Sequence, residues 1–117
     1  MTLPTATLTA EQAHIQALLE LMKQEQQFLV AADADGLEGL TPRKVVLVQE
    51  LAQLSRQRLS ALGGAGFAAA EAGMEHWLAA HGDAPAHAAW SALLALTADA
   101  KELNRVNGLL INRQMAH

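Results

Sequence analysis

Five histidines are spread over 117 residues that contain no cysteine, so any metal or acid–base chemistry must run through imidazole and carboxylate. Glu11 and His14 form one Glu-x-x-His, the spacing that turns both side chains into the interior of a helical bundle in di-iron carboxylate proteins. That centre needs the motif twice and two further glutamates. His76, His81 and His87 instead have Gly73, Leu78 and Ala84 three positions before them. Glu75-His76-Trp77-Leu78-Ala79-Ala80-His81 is not a zinc-protease pattern either, because histidines five apart do not share a helical face. Gly63-Gly64-Ala65-Gly66 is followed by no Lys-Ser/Thr and preceded by no strand, so it reads as a helix stop and not as a phosphate cradle. Ser55, Ser60 and Ser91 fall inside helical patterns, and no thiolate is available to serve as a nucleophile. No metal, cofactor or catalytic set is expected, and the chain reads as a non-enzyme.

The residues that stand out bind and do not react. Asn104, Asn107 and Gly108 are poor helix formers inside a strongly helical stretch, and Asn104 and Gly108, four apart, share a face. One reading is a register-fixing asparagine in a coiled-coil core, with a small residue admitting another helix. The other is a docking face, continued by the apolar run Leu109-Leu110-Ile111 beyond the reach of the first two helices.

The elements that must position these residues are all helical. Hydrophobic side chains make up 51% of the chain but aromatics only 3%, and Ala, Leu, Gln and Glu dominate over β-branched residues. Ile15, Leu18, Leu19, Met22, Phe28 and Leu29 predict a helix over 10–31, opened by a capping box of Thr9 and Gln12 with Leu8 as staple. Residues 33–40, with two glycines and two aspartates, predict a link with room for a single turn of its own. Thr41-Pro42 then predicts the start of a helix over 42–62, striped by Val45, Val48, Leu51, Leu54, Leu59 and Leu62. The first two helices are expected to match in length as an antiparallel hairpin. Phe67, Met74, Trp77 and Leu78 predict a short helix over 67–80, ended by Gly82. Asp83-Ala84-Pro85 opens the last helix, expected over 85–116 and packed on the hairpin along at least its first half. Its heptad seam is Leu93, Leu96, Ala100, Leu103, Asn107, Leu110 and Gln114. The expected architecture is an all-α antiparallel bundle of three long helices in a single domain. Burial is the commoner case for tryptophan, but the sequence does not decide whether Trp77 and Trp90 touch in the core or one lies exposed.

Composition excludes several function classes. A chain of this length buries around two-thirds of its unfolded surface, enough for one core but not for a core and a deep pocket. Eight basic against 12 acidic groups, a formal charge of −4, leave no counterion-release footprint for DNA or RNA. No run of 18 apolar residues and no export signal are visible, so no membrane insertion is expected and the cytoplasm fits.

Leu103-Asn104-Arg105-x-Asn107-Gly108-Leu109-Leu110-Ile111 is preceded by a Glu/Gln-rich helical hairpin, a Thr41-Pro42-x-Lys44 segment and a connection containing Trp77. Together these resemble the FlgN family of flagellar type III export chaperones, from about Glu11 to Asn112; only the Leu-Asn-x-x-Asn-Gly-x-Leu-Ile core is specific, the rest being generic to helical bundles. The resemblance implies a cytoplasmic, non-enzymatic chaperone. It would hold the C-terminal helical segment of hook-filament junction proteins, prevent premature assembly, and bring them to the flagellar export gate and its ATPase-complex components. The client-binding residues it implies are Leu103, Asn104, Asn107, Gly108, Leu110 and Ile111. Members usually run on for some tens of residues past this motif, so the expectation is a chain truncated at its C-terminus; the sequence leaves open whether part of the client site goes with it or a neighbouring copy covers the patch. The alternative expectation is a structural coiled-coil adaptor that self-associates through its last helix as a homo-oligomer when no client is bound.

Overall fold

A computed structural model describes residues 2–115, with side chains for residues 2–113. Among the described residues there are four helices and no strand: α1 (Leu8–Val30), α2 (Ala34–Gly64), α3 (Glu71–His81) and α4 (Ala84–Met115). The all-α expectation holds. α2 returns antiparallel to α1, since Arg58 meets Glu11 near one end and Lys44 meets Glu25 near the other. α4 runs parallel to α1, since Gln12 donates to the Ala89 carbonyl and Asn107 to that of Met22. α1 therefore packs along both long partners, while the backbones of α2 and α4 stay apart. The result is elongated, 53 × 22 × 20 Å.

Apolar mass is concentrated at one end. There Leu8, Leu62, Met74 and Leu78 are sealed, joined by Trp77 and Trp90 at 7% and 5% exposure, so both tryptophans are buried. Away from this head the core narrows to a seam of Ile15, Leu19 and Met22 on α1 with Leu93 and Ala100 on α4.

Several boundaries differ from those the sequence suggests. α1 starts at Leu8, with Thr7 and not Thr9 at the N-cap position. The Thr7 hydroxyl donates to Glu11 at 2.8 Å, and Leu8, taken for a staple outside the helix, is a core residue at 2% exposure. Gln12 is not part of a capping box; its amide reaches across to Ala89.

The largest correction concerns the expected link over 33–40, of which all but the N-cap Asp33 is helix. The reversal is confined to Ala31–Asp33, with Ala32 left-handed at φ +53, and the Asp33 carboxylate accepts from the Gly36 N–H at 2.9 Å. Gly36 lies so close to Phe28 that a Cβ there would stand 2.8 Å from the ring. α2 then runs through Pro42, whose missing N–H deprives the Glu38 carbonyl of its helical donor. Pro42 and Glu38 are exposed, so water can serve that carbonyl. The Thr41 hydroxyl, expected as a cap, donates instead to the Leu37 carbonyl. Burial of Leu40 at 3% exposure supports the added turns. α1 and α2 consequently do not match in length, at 23 and 31 residues.

The glycine cluster ends α2 as expected. Gly66 adopts φ +85, and Phe67 N–H returns to the Leu62 carbonyl while Gly66 N–H returns to that of Gly63, the paired bonds of a Schellman closure. Phe67 belongs to this closure and not to α3, which begins four residues later than expected. Asp83 caps α4 by accepting from Ala86 N–H at 2.9 Å; the expected last helical residue, 116, lies outside the described residues.

Candidate functional site

α4 advances about 100° per residue, so the sequence-predicted binding residues divide between its faces. Asn107 is fully buried at 1% exposure, and its amide nitrogen donates to the Met22 carbonyl at 2.9 Å and to Glu25 Oε1 at 2.8 Å. Both partners only accept, so the amide orientation is forced. Its oxygen has no hydrogen-bond partner among the described residues. Leu103 and Leu110, the seam neighbours of Asn107, are half-buried. The seam from Leu93 to Asn107 is thus directed inward along α1, Leu110 is only partly covered, and the side chain of Gln114, its expected last member, lies outside the described residues. Asn104 is exposed and Gly108 half-buried. Leu109 and Ile111 are 51% and 39% exposed but point some 200° apart, so Leu109-Leu110-Ile111 is not one patch.

Asn104 lies on the wall of a groove. Because α2 and α4 stay apart, the surface of α1 between them forms a floor of Ile15, Leu18 and Met22, walled by Lys44, Val48 and Leu51 on α2 and by Thr97, Ala100, Lys101 and Asn104 on α4. Through Thr97 this recess continues along Ser55, Arg58 and Leu59 on one side and Leu93, Leu94 and Trp90 on the other, where Ala69, Ala70 and Glu71 close it. At its other end Gly108 and Ile111 extend the Thr97–Ala100–Asn104 stripe by four and seven residues, and Val45, 48% exposed, extends the α2 edge. A Cβ on Gly108 would meet nothing within 4 Å. Three helices thus surround the vacant fourth position of a four-helix bundle, with an apolar floor and small residues on one wall.

Two ionic rungs tie the α2 wall of the groove to α1. At the closed end Arg58 donates from Nε to Glu11 Oε2 at 3.0 Å and from Nη2 to Oε1 at 3.3 Å. Its guanidinium lies 5.0 Å over the Trp90 ring, and Trp90 Nε1 donates to Glu75 at 2.9 Å. At the open end the Lys44 ammonium donates to both oxygens of Glu25, at 3.1 and 3.2 Å, and Glu25 also takes the Asn107 bond. Glu11 is therefore engaged with a guanidinium, while His14 faces a different partner, Glu50, at 2.6 Å. The Glu11/His14 pair does not converge on a common point, and among the described residues no group of three metal-ligating side chains is assembled.

His14 carries a pH signature. Its Nδ1 bonds the Ala10 carbonyl at 2.8 Å and its Nε2 bonds Glu50; both partners only accept, so the ring donates twice, as imidazolium does. The Ala10 carbonyl first, then Glu50, raise its pKa above the ordinary 6.5. A raised folded-state pKa contributes stability that is complete below the unfolded value and lost as pH rises through the folded one. The thermal midpoint is expected to fall modestly as pH rises above 6.5, because the pair is solvated. Glu50→Gln is expected to reduce that dependence without abolishing it, since the Ala10 carbonyl bond remains, and an unchanged pH slope in this variant would count against the pair.

Of the residues singled out from the sequence, Asn104 lines the groove and Gly108 continues its stripe one turn on; the groove itself and both rungs were missed. The signal was present: Glu11 and Glu25 on α1, and Lys44 and Arg58 on α2, each occupy positions of the apolar stripe. A family model described as FlgN protein matches residues 2–117, and neither a curated protein nor a solved structure matches the chain.

Proposed function

The chain belongs to the FlgN family of flagellar export chaperones, and we propose that it holds the C-terminal helical segment of hook-filament junction proteins in the groove between α2 and α4. Holding it there prevents premature assembly in the cytoplasm until delivery to components of the type III export gate. The observation that carries this reading is the vacant bundle position floored by Ile15, Leu18 and Met22. An amphipathic helix laid there buries its apolar face as a fourth bundle member, anchored at spacings of three, four and seven. Asn104, Gly108 and Ile111 are the motif residues that would touch it, and Leu103, Asn107 and Leu110 support them from the α1 side. No chemistry is required of any residue, consistent with a chaperone that is not an enzyme.

Gly108 separates the structural role from the binding role. Alanine there has free space in the isolated chain and removes a glycine penalty of about 1 kcal/mol. Gly108→Ala is therefore expected to stabilise the free chain and to weaken client binding by roughly three- to tenfold. Ile111→Asp, which puts a charge into the docked apolar contact, is expected to weaken binding about 30-fold or more without loss of helicity. The test is size-exclusion chromatography with light scattering and titration calorimetry, using a C-terminal helical segment of a hook-filament junction protein. Full-strength binding by both variants would overturn the site assignment.

The self-association reading is less well supported, because the heptads that motivated it are directed toward α1 within one chain. It predicts a dimer in solution at micromolar concentration, and a monomer in the same light-scattering run would remove it.

A further inference from the structure

The chain is acidic overall, at −4, yet the ionisable side chains lining the open stretch of the groove are both cationic. Lys44 on the α2 wall and Lys101 on the α4 wall flank the floor of Ile15, Leu18 and Met22. Lys44 spends two of its three ammonium hydrogens on Glu25 and retains one. Lys101 is exposed and takes part in no ion pair among the described residues. Between the walls the apolar strip is narrow and its α4 side is built from Thr97 and Ala100. At the far end Ala69, Ala70 and Glu71 block the way. From Leu94 to Ile111 the α4 wall measures about 25 Å at the helical rise of about 1.5 Å per residue.

Resting on the groove as the client site, we infer that its occupant is an amphipathic helix of about five turns whose narrow apolar stripe is bordered on both flanks by aspartate or glutamate. The two lysines stand on opposite walls, so a single acidic edge satisfies only one of them. A helix with basic flanks meets the like charge of Lys101 on one side and, on the other, finds Glu25 already held by Lys44, so it is rejected. Among the residues lining the groove the one acidic side chain is Glu71, at the closed end, so the open stretch is a local exception on an acidic chain and selects for register as well as for charge.

The test uses the full chain and three synthetic helical peptides of about 18 residues, identical in their apolar stripe and flanked by Glu, Gln or Lys. The Glu-flanked peptide is expected to bind about tenfold more tightly than the Gln-flanked one at low salt, with the difference shrinking as salt is raised. Lys101→Glu, at an exposed position, is expected to abolish that preference and to improve binding of the Lys-flanked peptide. Equal affinities for the Glu and Gln peptides, or a preference unchanged by Lys101→Glu, would overturn the inference. Val48→Asp separates the two levels: if it weakens Glu and Gln peptides of equal affinity alike, the groove stands and the charge selectivity falls. If it weakens neither of them, the groove assignment falls as well.

Discussion

Arg58→Ala is expected to lower folding stability by about 3–5 kcal/mol, the range for removing one partner of a buried ion pair. Side-chain exposures of 10% for Arg58 and 3% for Glu11 place the pair where water cannot replace the missing charge. The loss is not only Coulombic. The guanidinium also donates to Ser55 and stacks on Trp90, so α1, α2 and α4 lose a shared point of attachment, and the Glu11 carboxylate keeps only the Thr7 hydroxyl. Glu11→Ala in the same background is expected to recover part of the loss, because it removes the stranded carboxylate. Urea denaturation followed by circular dichroism, run as a double-mutant cycle, measures both quantities. A single-variant loss below about 1 kcal/mol, the value of an exposed pair, would show that the rung is solvated.

Gly73→Ala is expected to be the most damaging change of a single methyl group. A Cβ at Gly73 would stand 1.8 Å from the Ala68 carbonyl oxygen and 2.7 Å from its carbon, and these are backbone atoms that no rotamer change can move away. Either the connection from Phe67 to Ala70 or α3 itself must shift. α3 supplies Met74, Trp77 and Leu78 to the head of the core at 0%, 7% and 1% exposure, so a displacement there unpacks the thickest apolar region of the molecule. A loss of about 3 kcal/mol, or a fall of roughly 10 °C in thermal midpoint, is expected. Gly63→Ala provides the control, since a Cβ there meets nothing within 4 Å and alanine is the better helix former by about 0.5–1 kcal/mol. Equal midpoints for the two variants would show that α3 rides freely on the connection.

Both variants also bear on function. Arg58 and the Ala69–Glu71 segment line the closed end of the groove, so a loosened head is expected to impair client binding through altered groove shape even where the binding residues are untouched.

The sequence by itself determined the helical content, the stripes, the stop at Gly66 and the cap at Asp83, because each depends on neighbours within a turn or two. It also held the α1–α2 register, in the opposite charges that Glu11, Glu25, Lys44 and Arg58 carry at stripe positions. Local rules misjudged residues 33–40 and Pro42, where glycine and proline propensities of a few kcal/mol favour a break. There the local Asp33 cap, together with the contact of Gly36 with Phe28 and the burial of Leu40, prevails, and the last two depend on how the chain turns back. Only the tertiary structure decided that α1 is the shared partner, that α2 and α4 leave a groove over it, and that Asn107 faces inward while Asn104 faces the groove. Helical periodicity specifies which residues share a face; which neighbour covers that face, and which face stays open, is set by contacts between residues tens of positions apart.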